Sequence, residues 1–361
     1  MKPLCWHKIR FQSLTSFLGE TTGELQYESV NLVACISKVI RLDELAYAID
    51  RAIEVSVVMP CLNEADTLSV CIEKAQRALR QNDIAGEIVE AGEYVSGLKP
   101  GERVLLAPMH FCNICVKCVA GLQNQCSQFS VLGNAVDGGN CELIAVPAVN
   151  VIPIPDGLDF NEAASVPLVF TTAWHMLTGR AAIRPGQTVL VLGANSGVGI
   201  AAIQIAKLFH ARVIATAGDE RKMERARELG ADFVINHYEQ KISQEVRKIT
   251  SSEGVDIVIE HVGPATWEES VRSLKIGGTL VTCGATTGPK VELDLRFLFS
   301  RQLALLGSYM GTMNELHEVL GHVFAGRLKS VIDHTFPLSE IRAAHEYMEK
   351  SQMFGKIVLN P

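Results

Sequence analysis

From residue 187 onward, apolar positions alternate between two periods. QTVLVLG, ARVIATAG, ADFVINH, VDIVIEHVG and GGTLVTCG are short, nearly continuous apolar runs rich in β-branched residues. Between them, GVGIAAIQIAKLF, DERKMERARELG, ISQEVRKIT and WEESVRSLK repeat apolar residues every three or four positions. Buried strands separated by amphipathic helices predict a parallel, doubly wound sheet, with Gly230 closing the second helix. The stretch from 86 to 157 has a different texture. EIVEAGEYV predicts a strand, GLKPGERV a turn into VLLAP, a cysteine loop follows from 112 to 126, and 142 to 157 reads as β-rich with Pro153, Pro155 and Gly157 as punctuation. Residues 161 to 178 predict one helix. Upstream, 42 to 54 predicts a helix, VSVV (55 to 58) a short buried strand, Pro60 and Asn63 a turn, and 68 to 82 an amphipathic helix. No repeat or low-complexity segment interrupts the chain.

The length of 361 residues predicts two domains, and 48% apolar with 20% charged residues is globular composition. A net charge of −7 gives no overall electropositive field for nucleic acid or anionic lipid. A membrane-spanning helix needs about 20 continuous apolar residues; the nearest rival, 188 to 206, is broken by Gly193, Gly197, Gly199, Asn195 and Ser196. The opening MKPLCWHKIRFQS lacks the pattern of a secretory signal. These features read as a soluble, cytoplasmic protein acting on a small molecule, with neither nucleic acid nor membrane as partner.

VLVLGANSGVGIAAIQIAK sets Gly193 at a strand end, Gly197 and Gly199 in a tight turn, and a helix directly after. Missing Cβ atoms let backbone approach a pyrophosphate and let the helix pack on the sheet, while the helix N-terminus faces the anion. Cofactor choice falls at the end of the next strand. An acidic side chain there would take the ribose hydroxyls of NAD. Ala217 and Gly218 stand there instead, followed by Asp219, Glu220, Arg221 and Lys222. Lys222 could meet a 2′-phosphate, so the reading favours NADP with NAD as the alternative.

Of the ten cysteines, Cys112, Cys115, Cys118 and Cys126 crowd into one loop, and Cys5, Cys35, Cys61, Cys71, Cys141 and Cys283 are scattered. The clustered spacing lets four thiolates close a tetrahedron around one zinc ion with no open position, a structural site. Ferredoxin-type iron–sulfur runs close with a shorter spacing and a following proline, absent here. His110 nearby reads as an ordinary loop residue.

From about 86 to 361, the chain resembles the medium-chain dehydrogenase/reductase superfamily of zinc-containing alcohol dehydrogenases and quinone oxidoreductases. The resemblance rests on GLKPGERV, the four-cysteine lobe, AASVPLVFTTAWHML, the glycine turn, HVGPATWEESVRSLKIGGTLVTCGATTG and the closing GKIVLNP. It implies an α/β fold: a Rossmann doubly wound parallel sheet plus a truncated GroES-like β-rich catalytic domain with a zinc lobe. It also implies hydride transfer to or from NADP(H), and a cofactor lying on Gly193, Ser196, Gly197, Val198, Gly199, Lys222, Gly263, Gly284 and Ala285, with Thr172 near the nicotinamide. The expected divisions are 86–165 for the catalytic part, 166–305 for the Rossmann domain and 306–361 for a return to the catalytic domain.

Two departures qualify this. The Cys-His pair, the Gly-His-Glu motif and the third ligand of catalytic-zinc members are missing, and His175 reads as a packed histidine, so no catalytic zinc is expected. Polarisation of substrate then falls to side chains; no proton donor is identified, and Tyr309 and Thr312 are cleft candidates. Second, VSVVMPCLNEADTLSVCIEKAQRAL within 54 to 85 resembles the opening strand, Asn-Glu loop and helix of family 2 glycosyltransferases, without the Asp-rich metal motif that should follow. The expectation is a fusion: an unassigned leader over 1–53, a glycosyltransferase-like fragment, and a truncated dehydrogenase. The alternatives are a divergent dehydrogenase start, and a chain that binds nucleotide and zinc with an incomplete cleft. Finally, LALLGSYMG (303 to 311) predicts an apolar edge strand that would join copies into a homodimer or homotetramer.

Overall fold

A computed structural model describes residues 56–59 and 83–361, apart from residues 93 and 135. The helices expected at 42 to 54 and 68 to 82, and the turn between, lie outside the described residues. The first sheet begins with β1 (Ser56–Met59), β2 (Asp83–Glu87) and β3 (Arg103–Leu106). The cysteine lobe carries the β4 (Met109–His110) and β5 (Ser130–Val131) pair and the short helix α1 (Val116–Val119), and β6 (Val151–Pro153) follows. Helices α2 (Phe160–Ala164) and α3 (Pro167–Trp174) lead to six alternating strands: β7 (Thr188–Val191), β8 (Arg212–Ala217), β9 (Phe233–Asn236), β10 (Val255–Glu260), β11 (Leu274–Thr282) and β12 (Ala304–Gly307). Their helices are α4 (Gly197–Leu208), α5 (Glu220–Glu228), α6 (Ile242–Ile249), α7 (Pro264–Ser273) and α8 (Leu295–Ser300). The chain closes with α9 (Met313–Phe324), β13 (Ile332–Pro337), α10 (Ile341–Glu349) and β14 (Lys356–Asn360).

The second sheet has the order β12-β11-β10-β7-β8-β9, and every neighbouring pair is parallel. This is the Rossmann arrangement, with its switch point between β7 and β10. Alternation along each strand fills both faces. Val189 and Val191 join the core beneath α3 and α4, while Leu190 and Leu192 join the opposite core. The other sheet has the order β13-β14-β1-β2-β3-β6, so the C-terminal segment returns to the catalytic part.

Several expectations are corrected. The strand near 55 to 58 forms as β1, and it is no separate unit: it pairs antiparallel with β14 (Val58 opposite Val358) and with β2 (Val57 opposite Ile84) inside the GroES-like sheet. An apolar β-branched run fits any open sheet edge, so periodicity alone cannot name its partners. The strand expected at 87 to 95 is β2, which lies earlier. Past Glu87 only Ile88 keeps the pairing, through Ile88 N–H to Glu102 O and Gly101 N–H to Ile88 O. The β-rich stretch 142 to 157 keeps only β6, because Pro147 leads into a 3-10 turn at Ala148–Asn150. The single helix at 161 to 178 is broken before Pro167, which has no N–H and opens α3; beyond Trp174 the chain winds as π-helix over His175–Arg180. The strand expected over 303 to 311 stops at Gly307, and β12 lies at the sheet's edge. No helix among the described residues is long and apolar enough to cross a membrane.

Candidate cofactor cleft and metal lobe

The glycine turn sits at the switch point. Gly193 leaves β7 with φ +60, a left-handed conformation that favours glycine. Its N–H donates to Thr216 Oγ1 (3.0 Å), and Ala194 N–H donates to Thr216 O (2.8 Å), which anchors the turn to β8. Ser196 caps α4, its Oγ accepting Gly199 N–H at 2.9 Å. The other two glycines serve close packing. A Cβ on Gly199 would lie 2.2 Å from Gly193 O, and one on Gly197 would lie 2.8 Å from Val169 Cγ1 and 3.0 Å from Lys356 Cδ. Val169 is one helical turn before Thr172 on α3, so the glycine turn packs against the helix that carries Thr172. Thr172 is buried, its hydroxyl donating to Leu168 O at 2.7 Å.

Across the switch point stands His261, which sequence reasoning passed over. Its Nε2 donates to Leu192 O (2.9 Å) and lies 3.2 Å from Ser196 Oγ. Burial pushes this imidazole below its usual range, against the pull of Glu260. A Cβ on Gly193 would meet His261 Cε1 at 3.1 Å, and one on Gly284 would meet His261 O at 2.8 Å. The loops at Gly263, Gly284 and Ala285 therefore close on the glycine turn through His261, its backbone on Gly284 and its ring on Gly193. They are tied together by Thr286 Oγ1 to His261 O (3.0 Å) and Thr287 Oγ1 to Val262 O (2.8 Å). Beneath them the fully buried Glu260 carboxylate accepts the N–H groups of Val262 and Gly263 and the hydroxyls of Thr266 and Ser270. This buried network ties the loops to the end of β10.

At the end of β8, Ala217 is buried and Asp219 caps α5, accepting Lys222 N–H at 2.9 Å. Lys222 Nζ donates to Ser351 O (2.7 Å) and pairs with Asp219 Oδ2 (3.3 Å). Burial pushes the Asp219 carboxyl up, but the Lys222 N–H and ammonium outweigh it and hold the group below its usual range. A Cβ on Gly218 would strike the exposed Tyr238 ring at 2.6 Å, so this ring and His237 shelve the strand end beside Lys222. A second lysine, also unremarked in the sequence, is Lys356: it is 2% exposed and lies along Gly197.

In the lobe, the Sγ atoms of Cys112, Cys115, Cys118 and Cys126 lie within 4.8 Å of one another. Zn–S bonds of about 2.3 Å in a tetrahedron set the S–S edges near 3.8 Å; Cys112 to Cys118 is 3.9 Å and Cys126 to Cys112 is 3.6 Å. Backbone N–H groups already point at these sulfurs: Cys115 N to Cys112 Sγ (3.4 Å), Cys118 N to Cys115 Sγ (3.5 Å) and Gln128 N to Cys126 Sγ (3.3 Å). The N–H groups of Ile114 and Cys115 bring the Cys112 thiol down to about 6, whereas burial pushes Cys118 up. The donor set and its spacing fit one tetrahedral zinc. His110 sits in β4, paired with Ser130.

Of the two cleft candidates, Tyr309 is half-exposed and packs edge-on to Phe129 at 5.5 Å. Thr312 is a helix cap: its buried hydroxyl accepts Glu315 N–H (3.2 Å) and Glu315 Oε2 accepts Thr312 N–H (2.8 Å). That capping box accounts for Thr312 without a role in the cleft.

Two family models match the chain: the alcohol dehydrogenase GroES-like domain over residues 50–156, and the zinc-binding dehydrogenase domain over residues 197–325. Acryloyl-coenzyme A reductase of Metallosphaera sedula is 30% identical over 282 residues, 77% of this chain and 82% of its own length. The alcohol dehydrogenase of Geobacillus stearothermophilus is 31% identical over 277 residues, 76% of this chain and 80% of its own. A solved structure described as an NAD-dependent alcohol dehydrogenase matches with a TM-score of 0.78 at 37% identity, over 86% of this chain and 92% of that one.

Proposed function

The chain belongs to the zinc-type alcohol dehydrogenase family of NAD(P)-dependent oxidoreductases, and from that premise we propose that it moves hydride between NADP(H) and a small alcohol, carbonyl or activated alkene. The observation that carries the proposal is the closure of Gly193, Ser196, His261 and Gly284 on one point at the Rossmann switch, where ligands of open α/β sheets bind. The cofactor supplies the hydride; the chain's residues bind it, orient it and keep water out. Gly197 and Val198 at the start of α4 face the pyrophosphate with the positive end of the helix, and the buried Lys356 side chain lies along Gly197. Gly263, Gly284 and Ala285 wall the cleft, and Thr172 on α3 sits beside the nicotinamide. Lys222 takes the 2′-phosphate where Ala217 offers no carboxylate to a ribose, which supports NADP over NAD. The four cysteines hold one structural zinc.

The related acryloyl-coenzyme A reductase and alcohol dehydrogenase support the activated-alkene and alcohol arms respectively. Without the Cys-His and Gly-His-Glu ligands, polarisation of the substrate falls to side chains at the cleft mouth, Tyr309 among them. NADPH titration by fluorescence, beside an oxidation and reduction panel of alcohols, aldehydes, quinones and enones, tests the reading. Binding with turnover supports it, and no binding of either cofactor overturns it. A second reading is a cofactor- and zinc-binding chain with an impaired cleft, in which the glycosyltransferase-like stretch 54–85 replaces part of the catalytic domain. The missing ligand motifs favour it; the GroES-like match over 50–156 and the seating of β1 in the catalytic sheet speak for a divergent start. Binding with no turnover on any substrate would decide for it. We also place the protein in the cytoplasm as a dimer paired through β12; a monomeric mass by light scattering at micromolar concentration would remove the dimer.

A further inference from the structure

We propose that the metal lobe and the cofactor cleft form one cooperative unit, in which Asn124, His175 and Glu315 are positioning residues for the segment 308–312 that lies against Thr172. The inference rests on the reading above, with zinc on the four cysteines and cofactor beside Thr172.

Asn124 lies between Cys118 and Cys126, so the metal governs the shape of the loop that carries it. Its Nδ2 donates to Tyr309 O (3.4 Å) and to His175 Nε2 (3.3 Å). The direction follows from the other side of the ring. His175 Nδ1 lies 2.8 Å from Glu315 Oε1, a carboxylate that only accepts, so Nδ1 carries the proton and Nε2 offers its lone pair. The adjacent Gln123 Oε1 accepts Met313 N–H at 3.3 Å, a second tie from the same loop to the start of α9. One imidazole therefore joins the metal loop, the end of α3 and the start of α9. The space around it is closed, since a Cβ on Gly179 would lie 2.6 Å from both His175 Nδ1 and Glu315 Oε1.

The segment held this way contains a strained residue. Met310 has φ +52, rare for a non-glycine residue and maintained only where the surroundings impose it. On one side of it, Tyr309 is gripped by Asn124 and, through its ring, by Phe129, three residues past Cys126. On the other, Met310 Sδ packs 3.6 Å from Thr172 Oγ1, whose proton goes to Leu168 O. Loss of metal frees the 118–126 loop, because a structural site exists only while the metal folds it. Asn124, Gln123 and Phe129 then release the segment, and the wall beside Thr172 relaxes. Coupling is reciprocal: what zinc does for cofactor binding, cofactor must do for zinc retention.

The test uses the full chain. NADPH affinity is measured by fluorescence at full zinc and after mild chelation, and zinc release to a chromogenic chelator is timed with and without NADPH. Couplings of this kind are typically fivefold or more, so NADPH binding should weaken by about that factor in the zinc-depleted chain. NADPH should also slow zinc release to the chelator. Asn124→Ala keeps all four thiols and the glycine turn; there both effects should fall below about twofold, the residue of a merely structural lobe. His175→Gln repeats the measurement and carries it if Asn124→Ala fails to fold. Equal NADPH affinity with and without zinc, or full coupling in both variants, overturns the inference alone. A chain that holds no zinc, or binds no NADPH at any zinc content, overturns the functional reading and this inference with it.

Discussion

Substituting Gly199 by alanine tests the construction of the cleft at its tightest point. Two effects oppose each other. Alanine is the better helix former, by about 1 kcal/mol inside a helix. Against this, its Cβ would stand 2.2 Å from Gly193 O and 3.0 Å from Gly193 C. That carbonyl belongs to the backbone and accepts Ser196 N–H at 3.0 Å, so it cannot swing aside as a side chain would. The start of α4 must lift from the end of β7. Overpacking of this kind costs roughly 1–3 kcal/mol. Lifting the helix also strains the Ser196 Oγ bond to Gly199 N–H, worth about 1 kcal/mol. The net is a loss of about 1–3 kcal/mol, or a fall of roughly 2–12 °C in melting temperature for a domain of this size. Gly321 is the internal control: it lies on the exposed face of α9, and a Cβ there would have nothing within 4 Å, so Gly321→Ala meets only the propensity gain. It should melt roughly 2–4 °C higher. NADPH titration should show at least about tenfold weaker binding for Gly199→Ala, equivalent to about 1.4 kcal/mol, and no change for Gly321→Ala. A Gly199→Ala protein that melts like Gly321→Ala and binds NADPH normally would refute the argument, because it would mean that Gly193 O retreats without cost.

Three further outcomes follow from the same geometry. Cys115→Ser should drop zinc from about one per chain towards none by elemental analysis and lower the melting temperature by roughly 5 °C; retention of stoichiometric zinc would count against the closed tetrahedron. Lys222→Ala should reduce the NADPH-over-NADH preference about fivefold, on the order of 1 kcal/mol, in parallel titrations of the two cofactors. Because Lys222 also holds Ser351 O, both affinities can shift, so the ratio is the readout; equal or tighter NADH binding by the parent chain would assign the ribose to Asp219 or Glu220. Burial pushes the Glu315 carboxyl up, but His175 and the Thr312 N–H outweigh it and leave the group below its usual range. A depressed folded-state value stabilises the protein above the unfolded value of about 4.3 and is lost as pH falls through the folded one. The melting-temperature gap between the parent and Glu315→Gln should therefore close below about pH 4; a gap constant from pH 7 to pH 3 would contradict this.

How much of this was readable in the chain follows from burial. The Rossmann strands announce themselves because both faces are covered, so Val189 and Val191 had to be as apolar as Leu190 and Leu192. The cysteines declare themselves by chemistry and spacing, and the structure brings all four together. The catalytic sheet is harder to read. Its strands come from both ends of the described chain, with β1 lying between β14 and β2, and no local period reveals such pairing. His261 gave no signal because a single histidine after an apolar strand reads as a strand end, although it closes the glycine turn. Lys356 heads an apolar strand where a lysine ordinarily stays exposed; its 2% exposure depends on Gly197, a residue far away in sequence. Asn124 and His175 stand 51 positions apart and meet only once α3 and the lobe are packed.

The C-terminal return explains why the glycine turn alone is an incomplete site. Lys222 Nζ donates to Ser351 O and an Arg221 guanidinium N–H to Gln352 O, so the helix that follows β8 is held by residues just ahead of β14. Asn195, inside the glycine turn, donates through its Nδ2 to Met353 O at 3.4 Å, and its backbone carbonyl accepts Gly355 N–H at 3.0 Å. Lys356 then lays its side chain along Gly197 as β14 enters the other sheet. Each of these contacts joins a Rossmann residue to the segment that pairs with β1 and β13. The turn's geometry thus depends on the catalytic sheet being formed, and the pairing of β1 with β14 bears on cofactor binding although neither strand touches the Rossmann sheet's hydrogen-bond ladder. A change at the start of the catalytic domain would reach the cofactor by this route, through the register of β14 and the placement of 351–356, whether or not it altered a residue facing substrate.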